Sequence, residues 1–217
     1  MRKTREWDKC VIMNEWEEIA EGWEHWRQKP IKEIEELVDR WKSGRILDLG
    51  CGNGRNLLPF AKRGFECCGV DFSRRMILLS RRRFEKENLP AFFLVADASH
   101  LPFSSHSFHY CMAIAVLHHL RGEERRKCAE EIWRILKPGG EAFISVWNRL
   151  DKTFLFFPCD GFVPWKKRDK VVMRYYHFFT KWELEKILRN VGFEIIESPV
   201  LGLGRNLEFL VRKPELS

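Results

Sequence analysis

The nine residues Ile46-Leu47-Asp48-Leu49-Gly50-Cys51-Gly52-Asn53-Gly54 constrain this chain more than any other segment. Apolar side chains around a single acid predict a buried strand. Glycines at alternate positions predict a turn whose backbone approaches a ligand with no Cβ in the way. A helical pattern follows, so the turn lies at the carboxyl end of a parallel strand, the edge at which doubly wound sheets bind ligands. The same rhythm continues along the chain. Short apolar runs predict strands at Arg45–Leu49, Glu66–Asp71, 91–95, 108–115 and 141–147, and amphipathic stretches predict helices at 55–63, 74–88 and 123–136. This alternation predicts an α/β fold with a doubly wound, mostly parallel sheet covered on both faces. Lys137-Pro138-Gly139-Gly140 reads as a helix stop followed by a turn. After an irregular, aromatic and basic segment (148–179) come a helix over Lys181–Val191 and strands at 193–197 and Asn206–Arg212, spaced to pair as an antiparallel hairpin.

The amino-terminal part has a different character. Residues 1–43 carry five of the nine tryptophans (Trp7, Trp16, Trp23, Trp26 and Trp41) and a dense acidic series, with Pro30 as a break between two helices. They read as a helical cap on a domain spanning 44–217, in which 148–179 forms a lid or substrate insertion. No apolar stretch approaches the roughly 18 residues of a membrane span, and the start lacks the apolar run of a signal peptide, so the expectation is a cytoplasmic protein with no membrane partner. Seven cysteines are scattered without a Cys-x-x-Cys pair or zinc spacing, which predicts no metal site. A net charge of +7 permits a polyanionic partner without establishing one.

Two nucleotide-type ligands compete for the glycine turn. The dinucleotide fingerprint spaces its glycines G-x-G-x-x-G and places pyrophosphate on the helix N-terminus. Here the spacing is G-x-G-x-G, and Asp48 beside it suits a cationic group such as the amino group of a methionine moiety. Asp71 ends the next predicted strand, where it can accept from both ribose hydroxyls. Asp97, ending the third in Val95-Ala96-Asp97-Ala98, is placed to accept from an adenine amine. With Leu117-His118-His119 and Leu136-Lys137-Pro138-Gly139-Gly140 in order, these residues resemble the class I S-adenosylmethionine-dependent methyltransferases from Gly44 onward. The resemblance implies a Rossmann-like, seven-stranded sheet with a reversed last strand and S-adenosyl-L-methionine as cofactor. The cofactor contacts it implies are Asp48, Gly50, Cys51, Gly52, Asp71, Phe72, Met76, Asp97, Ala98 and Ala113.

The methyl acceptor must be read from other segments. An N6-adenine enzyme needs Asn/Asp-Pro-Pro-Tyr/Phe after the fourth strand, where this chain has Ala113-Ile114-Ala115-Val116-Leu117-His118-His119. A pyrimidine C5 enzyme needs a thiolate nucleophile, and Pro158-Cys159 lies after the fifth strand, where a buried loop cysteine is the simpler reading. Ile114 through His119, Gly122-Glu123-Glu124-Arg125-Arg126, Ser145-Val146-Trp147 and Arg174-Tyr175-Tyr176-His177-Phe178-Phe179 together resemble the tRNA wobble-uridine carboxymethyl methyltransferases. Ile19-Ala20 through Trp26-Arg27 resembles the helix that carries that family's pocket arginine. The implied product is the methyl ester of 5-carboxymethyluridine. A carboxylate is already ionised at neutral pH and needs no general base, only cations that hold one oxygen in line and aromatic walls for the base. Arg27, Arg125 or Arg126, and His118 or His119 are candidates for the first task; Trp147, Tyr175 and Tyr176 for the second. Each has an ordinary alternative: the arginines as solvated i,i+4 partners of Glu130 and Glu131, one histidine as packing, the tyrosines as a sheet cover. The family's Thr-Arg is replaced by Trp26-Arg27, its Gly-Asn-Trp by Gly204-Arg205-Asn206, and the residues after Trp147 also diverge. A small-molecule methyltransferase for a metabolite carboxylate, amine or quinol is the alternative function, and an inactive cofactor-binding scaffold a third.

Basic clusters at Arg81-Arg82-Arg83, 121–127 and Lys166-Lys167-Arg168, with Lys170 and Arg174, predict a tRNA anticodon loop as partner, since the last group interleaves with aromatics near the acceptor site. The third strand, 91–95, is apolar and belongs at the sheet edge in this fold. It requires a cover, for which the family resemblance supplies a small zinc-binding activator protein that adds a strand.

Overall fold

The computed structural model describes residues 6–167, 170–200, 202 and 204–215, with side chains from residue 15 onward except that of residue 167. Trp7 of the cap and Arg168 of the lid cluster lie outside the described side chains. The chain opens with α1 (Glu6–Trp26) and α2 (Glu33–Arg40), separated at Pro30. The strands and helices that follow are β1 (Arg45–Leu49), α3 (Leu58–Lys62), β2 (Glu66–Asp71), α4 (Arg74–Lys86), β3 (Phe92–Val95), β4 (Phe108–Ile114), α5 (Glu123–Ile135) and β5 (Leu136–Trp147). Beyond the parallel region lie β6 (Asp160–Lys167), β7 (Lys170–His177), α6 (Lys181–Val191), β8 (Glu194–Glu197) and β9 (Asn206–Arg212).

Seven strands form one sheet in the order β3-β2-β1-β4-β5-β9-β8. The first five are parallel, and β9 runs antiparallel to both β5 and β8. The strand order reverses beside β1, which opens a crevice at the carboxyl ends of β1 and β4. Both sheet faces are buried. Ile132 and Ile135 of α5 and Leu184 and Leu188 of α6 pack on one face, while Ile34 and Leu37 of α2, Phe60 of α3 and Ile77 of α4 pack on the other. Thus α2 packs into the core of the sheet itself, whereas α1 lies over the carboxyl edge. The Glu17 carboxylate of α1 accepts from the backbone N–H of Arg74 (2.5 Å) and of Arg75 (3.3 Å), so one acid caps α4 and fastens α1 across it. Among the described residues no helix is long and apolar enough to cross a membrane.

Two expectations are corrected. Lys137-Pro138-Gly139-Gly140 does not leave the sheet: β5 starts at Leu136, opposite Phe108, and carries this segment through an irregularity in the β4 pairing. A Cβ on Gly140 would lie 2.8 Å from the Lys137 carbonyl and 2.9 Å from that of His109, so only glycine lets the bulged strand lie this close to its neighbour. The segment 148–179, expected to be irregular, contains the β6–β7 hairpin, paired from Asp160↔His177 to Lys167↔Lys170. Pro164 cannot donate to a ladder and is tolerated because this sheet has only two strands, both edges.

One buried carboxylate clamps α2 to the two strands at the reversal. Glu141 accepts from Trp41 Nε1 (2.9 Å), Arg40 Nε (3.2 Å) and Arg212 Nη2 (2.8 Å). Burial works to raise its pKa, but the hydrogen bonds from Arg212, Arg40 and Trp41 prevail and hold it below the ordinary range. Glu141→Ala is expected to cost about 2–4 kcal/mol of unfolding free energy in urea titrations at pH 7, because three donors lose their acceptor. A depressed carboxylate stabilises above its unfolded pKa and ceases to as pH falls through the folded one, so the gap between the two proteins should close below about pH 4.

Candidate cofactor and acceptor site

β1 ends at Leu49 and the chain turns through Gly50 with φ +68°. A Cβ there would lie 2.5 Å from Val116 Cγ2 as well as straining the backbone, so the glycine is required twice over. Gly52 N–H donates to Asp71 Oδ2 (2.9 Å), Ser73 N–H donates to Asp71 Oδ1 (2.8 Å), and Ser80 Oγ donates to the Gly52 carbonyl (2.7 Å). Burial pushes the Asp71 carboxyl up to about 6 against these backbone bonds. Each oxygen retains a lone pair that can face a ligand.

A cavity of about 350 Å³ opens beyond this turn. One half is lined by Gly50, Gly52, Asp71, Phe72, Met76 and Asp97, with Ala98 beside them and Ile114 to Val116 as the facing wall. Asp97 Oδ1 accepts from Ser99 N–H (2.8 Å) and Ser99 Oγ (2.7 Å), which fixes its carboxylate at the rim. Three of the expected cofactor contacts lie behind this surface. Asp48 is buried beneath the turn with Oδ2 lacking a partner, and burial pushes its carboxyl up to about 8. Cys51 is buried beside Ser80. Ala113 points into the core, and the strand end Ile114-Ala115-Val116 forms the wall in its place. Arg55, absent from the sequence expectation, lines the same half, its pKa pushed down to about 10 by burial and by Arg27.

The other half gathers Arg27, His118, His119, Trp147, Tyr176 and Arg205, beneath Trp16 and Trp23 of α1. The histidines form a wired pair. Trp147 N–H donates to His118 Nδ1 (3.0 Å), leaving His118 Nε2–H to donate to His119 Nε2 (3.2 Å), and His119 Nδ1–H to donate to the Tyr175 carbonyl (3.0 Å). Burial holds His118 well below the ordinary imidazole value and His119 at about 3. Neither imidazole is the cation the sequence suggested. Both are neutral struts between β5 and the lid strand β7.

Arg125 and Arg126 do not line the cavity. Arg125 donates to the Leu120 carbonyl (3.0 Å), Asp160 (3.0 Å) and the Tyr175 hydroxyl (2.7 Å), tying α5 to the lid. Arg126 is exposed and paired with Glu123 and Glu130 on its own helix. Tyr175 stands outside with Arg125 and Arg121. Trp147 presents only an edge, since Tyr176 (4.2 Å, 14°) and Phe154 (4.9 Å, 17°) stack on its faces. Cys159 is exposed beside Arg149 and does not line the cavity. No group of three or more metal-ligating residues occurs among the described residues.

This arrangement fits S-adenosyl-L-methionine: acids at the ribose and adenine ends, apolar walls between them, and a glycine turn over an unpartnered buried acid. A family model described as a methyltransferase domain matches residues 46–140. A protein of Schizosaccharomyces pombe named tRNA (carboxymethyluridine(34)-5-O)-methyltransferase is 26% identical over 219 residues, covering 88% of this chain and 92% of that protein. The chain has the class I methyltransferase fold and carries a methyltransferase domain that takes S-adenosylmethionine. Similarity extends to the Macaca fascicularis protein named tRNA (carboxymethyluridine(34)-5-O)-methyltransferase ALKBH8, 39% identical over 134 residues; the alignment covers 61% of this methyltransferase and only 19% of that protein. Two solved structures share its fold. An S-adenosylmethionine-dependent methyltransferase of Methanosarcina mazei superposes with a TM-score of 0.70 at 21% identity, over 83% of this chain and 98% of that one. A putative methyltransferase of Haloferax volcanii, solved in complex with the Trm112 methyltransferase activator, superposes at 0.67 and 19% identity, over 95% and 99% of the chains.

Asp71→Asn is expected to weaken S-adenosylmethionine binding about 30- to 150-fold in calorimetry, the loss of charge-assisted hydrogen bonds to the ribose. Cofactor affinity of the parent should fall as pH drops through about 6, where the Asp71 carboxylate takes up its proton, and the variant should lose that dependence.

Proposed function

We propose that this methyltransferase, acting in the cytoplasm, esterifies the carboxylate of 5-carboxymethyluridine at the wobble position of tRNA. One observation carries the reading: the acceptor half of the cavity offers guanidinium groups but no free base. Arg27 and Arg205 line it, while all four ring nitrogens of His118 and His119 are spent on the strut. An amine or hydroxyl acceptor must lose a proton, whereas a carboxylate arrives ionised and asks only to be held in line. The name of the S. pombe relative, aligned over nearly its whole length, supports the same acceptor.

The chain's own residues supply position and field. The cofactor brings the electrophilic methyl, and the Asp71, Asp97 and Gly50 surfaces would hold it with the sulfonium toward the second half. Tyr176 and the edge of Trp147 wall that half. The segment 148–179 acts as the substrate insertion and α1 as the cap, the lid hairpin presenting Lys166, Lys170 and the exposed Phe162 to the anticodon loop.

Nucleoside mass spectrometry after incubation with labelled cofactor and tRNA bearing 5-carboxymethyluridine should find the label as a base-labile methyl ester in the wobble nucleoside. tRNA affinity should fall steeply between low and moderate salt. Label confined to metabolites would move the assignment to small-molecule chemistry.

At the sheet edge, β3 leaves Phe92 59% and Val95 47% exposed. An apolar open edge invites strand addition, and we assign it to a small zinc-binding activator protein; the Haloferax neighbour was solved in complex with a methyltransferase activator. Co-expression with such an activator should raise soluble yield and cofactor affinity, and Phe92→Glu should remove both gains. A monodisperse chain with full activity on its own argues the other way.

A further inference from the structure

We propose that Arg205, with Arg27 and the Tyr176 hydroxyl, forms a subsite for a carboxylate in the acceptor half of the cavity. Arg205 stands just before β9, where Asn206 pairs with Trp147. Its backbone is pinned: the Arg205 carbonyl accepts from Asn148 N–H (2.9 Å), and the preceding Gly204 carbonyl accepts from Asn148 Nδ2 (2.8 Å). Its guanidinium carbon lies 5.1 Å from the Trp147 ring centroid and 5.7 Å from that of Phe154. No carboxylate or carbonyl among the described residues accepts from it. A cation beside aromatic rings whose N–H groups meet no described carboxylate or carbonyl is set up to meet an anion.

Two further groups complete the subsite. Arg27 is fixed to the glycine turn, its carbonyl accepting from Asn53 Nδ2 (2.9 Å), and its guanidinium lies 5.3 Å from the Trp23 ring. It too has no described carboxylate partner. Tyr176 lines the same cavity, and against its ring Arg174 is almost wholly buried, its guanidinium carbon 5.2 Å from the centroid and its Nε without a hydrogen-bond partner. Burial keeps the Tyr176 phenol protonated, its pKa pushed up to about 12, so its O–H can donate to an anion. Arg174, packed against the ring, acts through Tyr176 as a positioning residue. The neutral histidine pair adds no charge. Two acids face this side: Glu124 lines the cavity and accepts from Arg121 N–H (3.3 Å), and Asp151, which accepts from Thr153 N–H (2.9 Å), lies within the field of Arg205.

Two carboxylates can reach this cavity: the acceptor's and the cofactor's own. Arg205 lies against Trp147, on the wall the lid strand shares, whereas Arg27 also adjoins the glycine turn; the subsite is centred on Arg205 and is assigned the acceptor's. This deepens the proposed function and rests on it for the identity of the ligand.

The test compares Arg205→Leu and Arg205→Lys in the full chain. Binding of the nucleoside 5-carboxymethyluridine and of its uncharged amide, 5-carbamoylmethyluridine, is followed by ligand-observed NMR with cofactor present. The parent should prefer the acid roughly tenfold or more, Arg205→Leu should lose that preference, and Arg205→Lys should keep part of it. S-adenosylmethionine affinity by calorimetry should stay within about twofold in both variants, a readout that a general loss of structure would move. In tRNA assays Arg205→Leu should lower kcat/KM roughly 10- to 100-fold. A preference that survives in Arg205→Leu overturns the subsite, and a matching loss of cofactor affinity reassigns it to the cofactor's carboxylate. The two proposals fail separately. An Arg205-dependent acid preference in a protein that methylates no tRNA upholds the subsite and removes the tRNA reading; unchanged tRNA methylation by Arg205→Leu does the reverse.

Discussion

The Asp71 carboxylate joins two turns that would otherwise be independent. Its oxygens accept from Gly52, in the turn after β1, and from Ser73, in the turn after β2. Ser73 in turn caps α4, its hydroxyl accepting from Met76 N–H at 3.1 Å. One half-buried acid therefore sets the separation of the glycine turn from the helix that walls the cofactor half. The cost is visible in its raised pKa, since burial disfavours the charge that the two N–H groups stabilise. A site that holds an acid at such a cost is preorganised, and a ligand that donates to the remaining lone pairs relieves part of the penalty.

What could be read from the sequence follows from how local each cause is. The glycine turn, Asp71 and Asp97 sit at fixed offsets from strand ends, so periodicity alone placed them on one sheet edge. The wall at Ile114 to Val116 was missed by a single pleat: β4 runs one residue past Ala113, and Ala115 then turns at φ +60°, a conformation that no pattern of apolar residues announces. The lid hairpin was hidden for a different reason. In β7 the inward positions carry Arg174 and Tyr176 rather than aliphatic residues, and β6 contains Pro164, so the alternation that betrays a strand is disguised by polar side chains buried for the site. The charge on the histidines was misjudged because an adjacent pair looks titratable until its partners are known. Those partners, Trp147 N–H and the Tyr175 carbonyl, belong to elements far along the chain.

Arg205 illustrates the limit most clearly. It reaches the cavity through the reversed strand β9, inserted between β5 and β8, whose register opposite Trp147 depends on the pairing of seven successive residues. Nothing near Arg205 in the sequence distinguishes it from a solvated surface arginine. The lid strand supplies Tyr176 and the start of the reversed strand Arg205, and both meet at Trp147 in the same cavity.

The two halves of the cavity suit the proposed chemistry energetically. The cofactor half sets Asp71 and Asp97 at its surface with Arg55 beside them, whereas the acceptor half holds Arg27 and Arg205 and is walled by Trp147, Tyr176, Trp16 and Trp23. Transfer of a methyl cation equivalent from a sulfonium to a carboxylate joins two opposite charges into two neutral products. Reactions of that kind gain when reactants are taken out of water and held at contact, because the charge that water would have solvated is consumed in the step. The same neutralisation governs release. Arg27 and Arg205 face an anion before transfer and an uncharged ester after it, so the interaction that positions the substrate is lost with the reaction itself. A base at the site would add nothing to this sequence, and a permanently protonated imidazole would compete for the carboxylate. The neutral, fully bonded histidine pair avoids both while holding the lid strand at its distance from β5.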